Sequence, residues 1–185
     1  VKDEFLDKVL KRVKNIKVGD PLDINTNMGS MISKGHLAKV DGYIQKGIDE
    51  GASILHGGTS ESNQKGFFAK PTLFDNVKEN MTIAQDEIFG PVLGVLTVNS
   101  TDEALKIAKN SKYGLHGSVF TQDINKAFYI AKNLPCGTIS INTFSEGDIK
   151  TPFGGYKQSG SLSRDQGTEA LNQYLQTKTI WISHS

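Results

Sequence analysis

A carboxylate and an aromatic ring stand two residues apart in the run Glu87-Ile88-Phe89-Gly90-Pro91, and they are the first candidates for chemistry in this sequence. In an extended segment, residues i and i+2 project to the same face. A carboxylate so placed can accept two hydroxyl hydrogen bonds from a ribose, and the ring beside it can pack on a flat heterocycle. Taken alone, the pair reads better as a surface Glu next to a core Phe. The single cysteine, Cys136, is a second candidate, because a lone thiol can serve as a nucleophile. It lies in Leu134-Pro135-Cys136-Gly137, at a helix-to-strand turn with no histidine nearby in sequence. The negative end of the preceding helix opposes a thiolate there, so the balance favours a structural role.

Two further patterns are weighed and set aside. His36, His56, His116 and His184 stand at no metal-ligand spacing with each other, with the cysteine or with a carboxylate pair. The loop Phe153-Gly154-Gly155-Tyr156-Lys157-Gln158-Ser159-Gly160 has the look of a phosphate cradle, but Lys157 precedes the last glycine and no Lys-Ser pair follows it. A dinucleotide fingerprint of three spaced glycines is also missing. The glycines say only that the backbone turns tightly or approaches another surface closely there.

The elements that must position these residues follow from periodicity. Val1, Phe5, Val9 and Val13, flanked by Leu6 and Leu10, predict a helix over 2–16 that ends at Gly19-Asp20-Pro21. Leu37, Val40, Ile44 and Ile48 form the stripe of a second helix over 35–50, capped by Gly51. Residues 53–55 read as a strand, 60–66 as a hairpin or surface loop, and 67–74 as a strand that Pro71 places at a sheet edge. Pro91 to Val98 reads as a buried strand. A helix with Thr101 as its N-cap follows, then a strand at 117–120, a helix at 123–134 and a strand at 137–142. A helix near 165–175 and a last strand at 179–183 close the pattern. This alternation predicts an α/β fold, a three-layer sandwich with a largely parallel sheet.

Composition narrows the class. Of 185 residues, 37% are hydrophobic and 22% charged, which suits a globular chain rather than a disordered one. The 21 basic and 20 acidic residues nearly cancel, so no long-range field favours nucleic acid or an anionic membrane. No apolar run reaches the ~18–20 residues of a membrane span, and the amphipathic N-terminus lacks the features of a signal peptide. One cysteine excludes an internal disulfide framework and points to a reducing, cytoplasmic compartment. Val1 is not Met and opens inside a helical pattern, so the chain is expected to be a piece of something longer.

Four segments then act together: QDEIFGPVLGV (85–95), YGLHGSVFTQD (113–123), GTISIN (137–142) and TPFGGYKQSG (151–160). In order and spacing they resemble the aldehyde dehydrogenase superfamily, over essentially Val1 to Ser183, and the tail is most similar to bacterial enzymes acting on amino- or γ-glutamylamino-aldehydes. The resemblance implies most of a catalytic domain over 1–177 and an oligomerisation strand in 178–185 that joins a neighbouring subunit of a dimer or tetramer. It implies NAD- or NADP-dependent oxidation of a small-molecule aldehyde to an acid. In that reaction a cysteine thiolate attacks the carbonyl, an Asn and backbone donors hold the oxyanion, hydride passes to the nicotinamide, and a Glu-activated water hydrolyses the thioester.

By the same resemblance the nucleophile, the general base, the oxyanion Asn and the main cofactor domain lie before residue 1. No catalytic residue is therefore expected in this chain, which alone should be inactive. Glu87 matches the glutamate that binds the nicotinamide ribose, and Phe89 the aromatic that positions the nicotinamide. Thr143, Phe144 and Ser145, in the loop to Ile149, and Phe153 match the substrate tunnel. Ser145, Glu146 and Asp148 make that loop polar and suit an amine-bearing or otherwise polar aldehyde. Arg164 and Asp165 match a charged pair near the base and the subunit interface. The chain departs from the pattern at Ser159–Asp165 (SGSLSRD), where a glycine-rich turn is usual, and at Gln176, where many members carry an interface glutamate. The alternative from another class is a non-catalytic fragment that acts as an oligomerisation or interaction module.

Overall fold

The computed structural model describes residues 1–60, 66–144 and 147–184. Most of the loop expected at 60–66, and Ser145 and Glu146 of the proposed tunnel loop, lie outside the described residues. The chain forms two compact units, Val1–Val98 and Asn99–Ser185.

In the first unit, α1 (Lys2–Lys14) and α2 (Lys34–Asp49) accompany a three-stranded sheet of β1 (Ser53–His56), β2 (Thr72–Asp75) and β3 (Val92–Gly94), in that order. Strands β1 and β2 run antiparallel, and β2 and β3 run parallel. A single turn of helix, α3 (Thr82–Gln85), precedes β3. The core is built from Val40 and Ile44 of α2, Phe74 of β2, and Val77, Met81 and Ile83 beyond it, with Ala52 and Ala69 filling in. The expected α2 stripe is corrected at one position. Ile48 is exposed, and Gly47 takes the inward place because a side chain there would meet Ile83 at 2.9 Å and Phe74 at 3.2 Å. Helix α1 likewise buries Leu6, while Val1 and Phe5 are exposed.

Pro71 does not mark an edge. It lies one residue before β2, which is the central strand, so its missing N–H costs no ladder bond; the first donor is Thr72 N–H, which reaches the Pro91 carbonyl at 2.8 Å. The run 91–98 pairs over only Val92–Gly94, and Leu93 is exposed, so it is a short half-covered strand rather than a buried one.

The second unit holds α4 (Thr101–Lys109), α5 (Ile124–Asn133) and two strand pairs: β5 (His116–Val119) parallel to β6 (Thr138–Ile141), and β4 (Tyr113–Gly114) antiparallel to β7 (Tyr156–Lys157). Strand β5, helix α5 and strand β6 form a βαβ unit in which α5 packs on both strands. The N-cap of α4 is Ser100, not Thr101: the Ser100 hydroxyl accepts the Glu103 N–H at 3.1 Å. Asp123 caps α5 through the N–H groups of Asn125 and Lys126. The late helix is a 3₁₀ segment, Thr168–Tyr174, and residues 175–184 carry no helix or strand. The result is an α/β chain with mixed sheets and helices.

One ion pair fixes α1 to the sheet. Lys2 Nζ lies 2.9 Å from Asp75 Oδ2, and the other carboxylate oxygen is buried without a hydrogen bond among the described residues. Burial pushes the Asp75 pKa up, but the Lys2 hydrogen bond, the Asn76 backbone N–H and the Lys2 charge together hold it below its ordinary value. A lowered folded-state pKa contributes stability that is full above the unfolded-chain pKa and is lost as pH falls through the folded value. Asp75→Asn is therefore expected to lower stability near neutral pH by about 1–3 kcal/mol and to weaken its fall on acidification below pH ~4. Urea denaturation across pH 3–7 checks both.

Candidate functional site

Glu87 and Phe89 lie in the first unit, on the turn that leads into β3. Both are exposed, and Ile88 between them packs against the core. The segment is not regularly extended as the two-residue spacing assumed. Phe89 has φ +59°, a left-handed conformation that is rare for a bulky residue, and such residues cost of order 1–3 kcal/mol unless their surroundings hold them. On one side Ile88 is anchored in the core. On the other, a Cβ at Gly90 would sit 2.6 Å from Val40 Cγ2, so the backbone passes directly over α2, and Val92 N–H closes a bond to the Gly90 carbonyl at 2.8 Å. His36, in the first turn of α2, reaches the Phe89 carbonyl through Nε2 at 2.8 Å. A carbonyl only accepts, so Nε2 carries the proton. The two rings lie 6.3 Å apart in a tilted arrangement.

The Phe89 side chain is 71% exposed. The Glu87 carboxylate makes no hydrogen bond or ion pair among the described residues, so both oxygens are free to accept. The carboxylate and the ring are thus both open to a ligand.

In the second unit the proposed tunnel loop leaves the end of β6 at Asn142. The Asn142 side chain takes the Thr121 N–H at 2.8 Å and returns an amide bond to the Thr121 carbonyl at 2.9 Å, which extends the β5–β6 pairing by one mock residue. Thr143 and Phe144 then stand exposed, and the Phe144 ring meets His116 edge-on at 5.3 Å. His116 Nε2 lies 2.9 Å from the buried Ser140 hydroxyl across the parallel pair. Ser145 lies outside the described residues. The loop closes in a turn in which the Asp148 carboxylate accepts Lys150 N–H and the Asp148 carbonyl accepts Thr151.

Phe153 is half-buried and forms an antiparallel bridge with Asp165, two backbone bonds of 2.7 Å. Arg164 and Asp165 are not bonded to each other. Arg164 Nη1 donates to the carbonyls of Ser161 and Ser163, and its guanidinium lies over the Tyr156 ring, while Asp165 accepts from Gln173. The bridge explains the divergence, since neighbouring residues in extended backbone face opposite ways.

The glycine-rich loop is a packing device. A Cβ on Gly137 would overlap the Gly154 carbonyl, and one on Gly155 or Gly160 would strike the opposite backbone of the same turn. Lys157, the lysine of the apparent phosphate cradle, spends its ammonium on the carbonyls of Lys109 and Ser111 at 2.7 Å each, which closes the C-terminus of α4. Cys136 sits in the same neighbourhood: burial pushes its thiol pKa up, and the Lys157 charge only partly offsets this. Among the described residues no group of three or more histidine, cysteine or acidic side chains is placed to hold a metal ion. His36, Asn142 and the Lys157 cap were not legible in sequence, because each acts on a backbone group distant along the chain.

Replacing Gly137 with Ala is expected to destabilise the chain at or beyond the upper end of the ~1–3 kcal/mol typical of overpacking; Gly90→Ala should fall within that range, since Val40 has methyl groups rather than backbone to move. Denaturant midpoints of the two variants check the order.

The comparisons with known proteins agree over the whole chain. The model of the aldehyde dehydrogenase family matches residues 1–180. A putative aldehyde dehydrogenase of Staphylococcus saprophyticus is 45% identical over 182 residues, 97% of this chain and 38% of that protein. The cytosolic 10-formyltetrahydrofolate dehydrogenase of Xenopus laevis is 44% identical over 186 residues, all of this chain and 20% of that protein. Among solved structures, the P. syringae indole-3-acetaldehyde dehydrogenase, a variant in complex with NAD+ and IAA, superposes with a TM-score of 0.92 at 40% identity, over 99% of this chain and 37% of that one. The chain thus spans between a fifth and two fifths of the length of these relatives. By family model, sequence identity and fold, the chain belongs to the aldehyde dehydrogenase family.

Proposed function

We propose that the chain is the C-terminal catalytic-domain portion of an NAD(P)-dependent aldehyde dehydrogenase, and that it binds and orients rather than performs the bond-making steps. The observation that carries this reading is the turn at 87–89. An unengaged carboxylate and an open aromatic ring are presented together on a strained backbone, the kind of strain that gathers at binding sites. Glu87 accepts the two ribose hydroxyls of the nicotinamide half, and Phe89 lies against the nicotinamide. The coenzyme supplies the hydride acceptor when bound. Thr143, Phe144, Ser145 and Phe153 shape the path of the aldehyde, and the acidic Asp148 in that loop suits an amine-bearing or otherwise polar substrate. Arg164 fixes the turn that supports Phe153, near a subunit interface.

The nucleophile and the general base are supplied from outside this chain. In support, the sole thiol is Cys136, which is half-buried, raised in pKa and tied into the glycine-packed turn. The tail at 178–185 is the element that joins another subunit: Ile180, Trp181 and Ile182 are all exposed and unpaired by any strand here. Cytoplasmic residence is in keeping with a single reduced cysteine, and no helix among the described residues is long and apolar enough to cross a membrane.

Three outcomes are expected. Purified by itself, the chain gives no NAD-dependent aldehyde oxidation, and clear turnover would move the nucleophile back into it. In a full-length dehydrogenase that carries this sequence, Glu87→Gln raises KM for the coenzyme roughly tenfold to hundredfold, the worth of a charge-assisted hydrogen bond or two; an unchanged KM would remove the ribose assignment. Alkylation of Cys136 by iodoacetamide follows a pKa above that of a free cysteine, whereas a midpoint well below it would revive a thiol enzyme built on this residue. The role of the tail is tested by size-exclusion chromatography with and without residues 176–185: an assembly state unchanged by truncation would remove both its part as the joining strand and the rival reading of a module that only associates through it.

A further inference from the structure

We propose that His36 is a positioning residue for the coenzyme-facing ring: its imidazole N–H, bonded to the Phe89 carbonyl, holds Phe89 in the left-handed conformation that aims the ring outward. This inference rests on the reading of Glu87 and Phe89 given above.

Three observations converge on it. The first is the hydrogen bond itself, 2.8 Å from Nε2 to the carbonyl oxygen. The second is that His36 is anchored. Its own N–H is taken by the Ser33 hydroxyl at 3.1 Å at the N-cap of α2, so the imidazole is carried by a fixed first turn. The third is that the rest of the turn leaves Phe89 unheld. Ile88 before it is fixed by the core, and Gly90 after it is fixed by the close approach to Val40. Neither contact is made by Phe89 itself. Rotation about its N–Cα bond moves its carbonyl, and that carbonyl is the group His36 binds. Without the bond, Phe89 is free to relax toward negative φ, which any residue other than glycine prefers. The carbonyl and the side chain hang from the same α-carbon, so relaxation swings the ring away from its outward direction. Glu87, two residues earlier and before the core anchor at Ile88, would move less.

His36 therefore acts on orientation and not on the ribose contact. Removing it should affect the chemical step, which depends on how the ring lies against the nicotinamide, more than coenzyme affinity, which Glu87 supplies.

Two measurements test this. The first needs no coenzyme. A residue with positive φ gives a strong intraresidue amide-to-Hα cross-peak in nuclear Overhauser spectra, because the two hydrogens are close together. The Phe89 cross-peak is expected to be strong in the chain, to weaken in His36→Ala, and to return in His36→Gln, whose carboxamide keeps an N–H donor. A cross-peak unchanged by His36→Ala, with the chain folded, would overturn the proposal. The second uses a full-length dehydrogenase that carries this sequence. His36→Ala is expected to lower kcat about fivefold to tenfold, the equivalent of one neutral hydrogen bond, with coenzyme KM nearly constant and His36→Gln recovering most of the loss. Equal losses in the Ala and Gln variants, or a change confined to KM, would also overturn it. Failure of the underlying site assignment looks different. Glu87→Gln would then leave coenzyme KM unchanged, while the cross-peak comparison still decides whether His36 sets the turn.

Discussion

Gly90 lies where any side chain must displace Val40. Its backbone crosses α2 so closely that a methyl group would sit 2.6 Å from a branch of Val40, a side chain with no exposure at all. That close crossing sets the height of the whole 87–91 segment above the core. It lets Ile88 pack against the core, lets the Pro91 carbonyl meet Thr72 and start the parallel pairing of β2 and β3, and leaves Glu87 and Phe89 exposed. The strained φ of Phe89 is the local cost of turning the chain within so few residues. The core cluster, the central strand and α2 fix the residues on either side of Phe89, and the His36 bond to its carbonyl holds Phe89 itself, so the strain persists.

The second unit solves a similar problem by different means. Its buried apolar set is small, with Leu105, Val119 and Ala127 the chief members. Close backbone contact among Gly137, Gly154, Gly155 and Gly160 does much of the joining instead. Lys157 adds a charged tie to the end of α4, and Asn142 adds an amide tie between the ends of β5 and β6. Polar ties of this kind are directional, so they fix where a loop begins even when little apolar surface is available to do so.

Much of this was legible beforehand, and the exceptions share a cause. The helices at 2–14, 34–49, 101–109 and 124–133 follow from apolar spacing, and the capping glycine at Gly51 is in the left-handed region as its position implied. The EIFGP and PFGGYKQSG runs pointed to the candidate site through family resemblance, whereas the residues alone favoured a surface Glu87 and a core Phe89; the ring is in fact exposed. The misplaced details are those that depend on what lies across space. Ile48 looked like a core residue until Ile83 and Phe74 claimed the neighbouring position for Gly47. Pro71 looked like an edge marker because sequence does not tell how many strands lie beyond. His36 gave no signal, since its partner is a main-chain carbonyl 53 residues away.

The tail has a consequence for how this chain behaves at high concentration. Thr179-Ile180-Trp181-Ile182-Ser183 is uncharged, rich in β-branched and aromatic residues, and free of proline. Runs of this composition stack as cross-β ribbons when their backbone groups are left without a ladder. Lys178, directly before the run, is the charged residue that opposes such stacking, and its loss would remove that brake from the isolated chain.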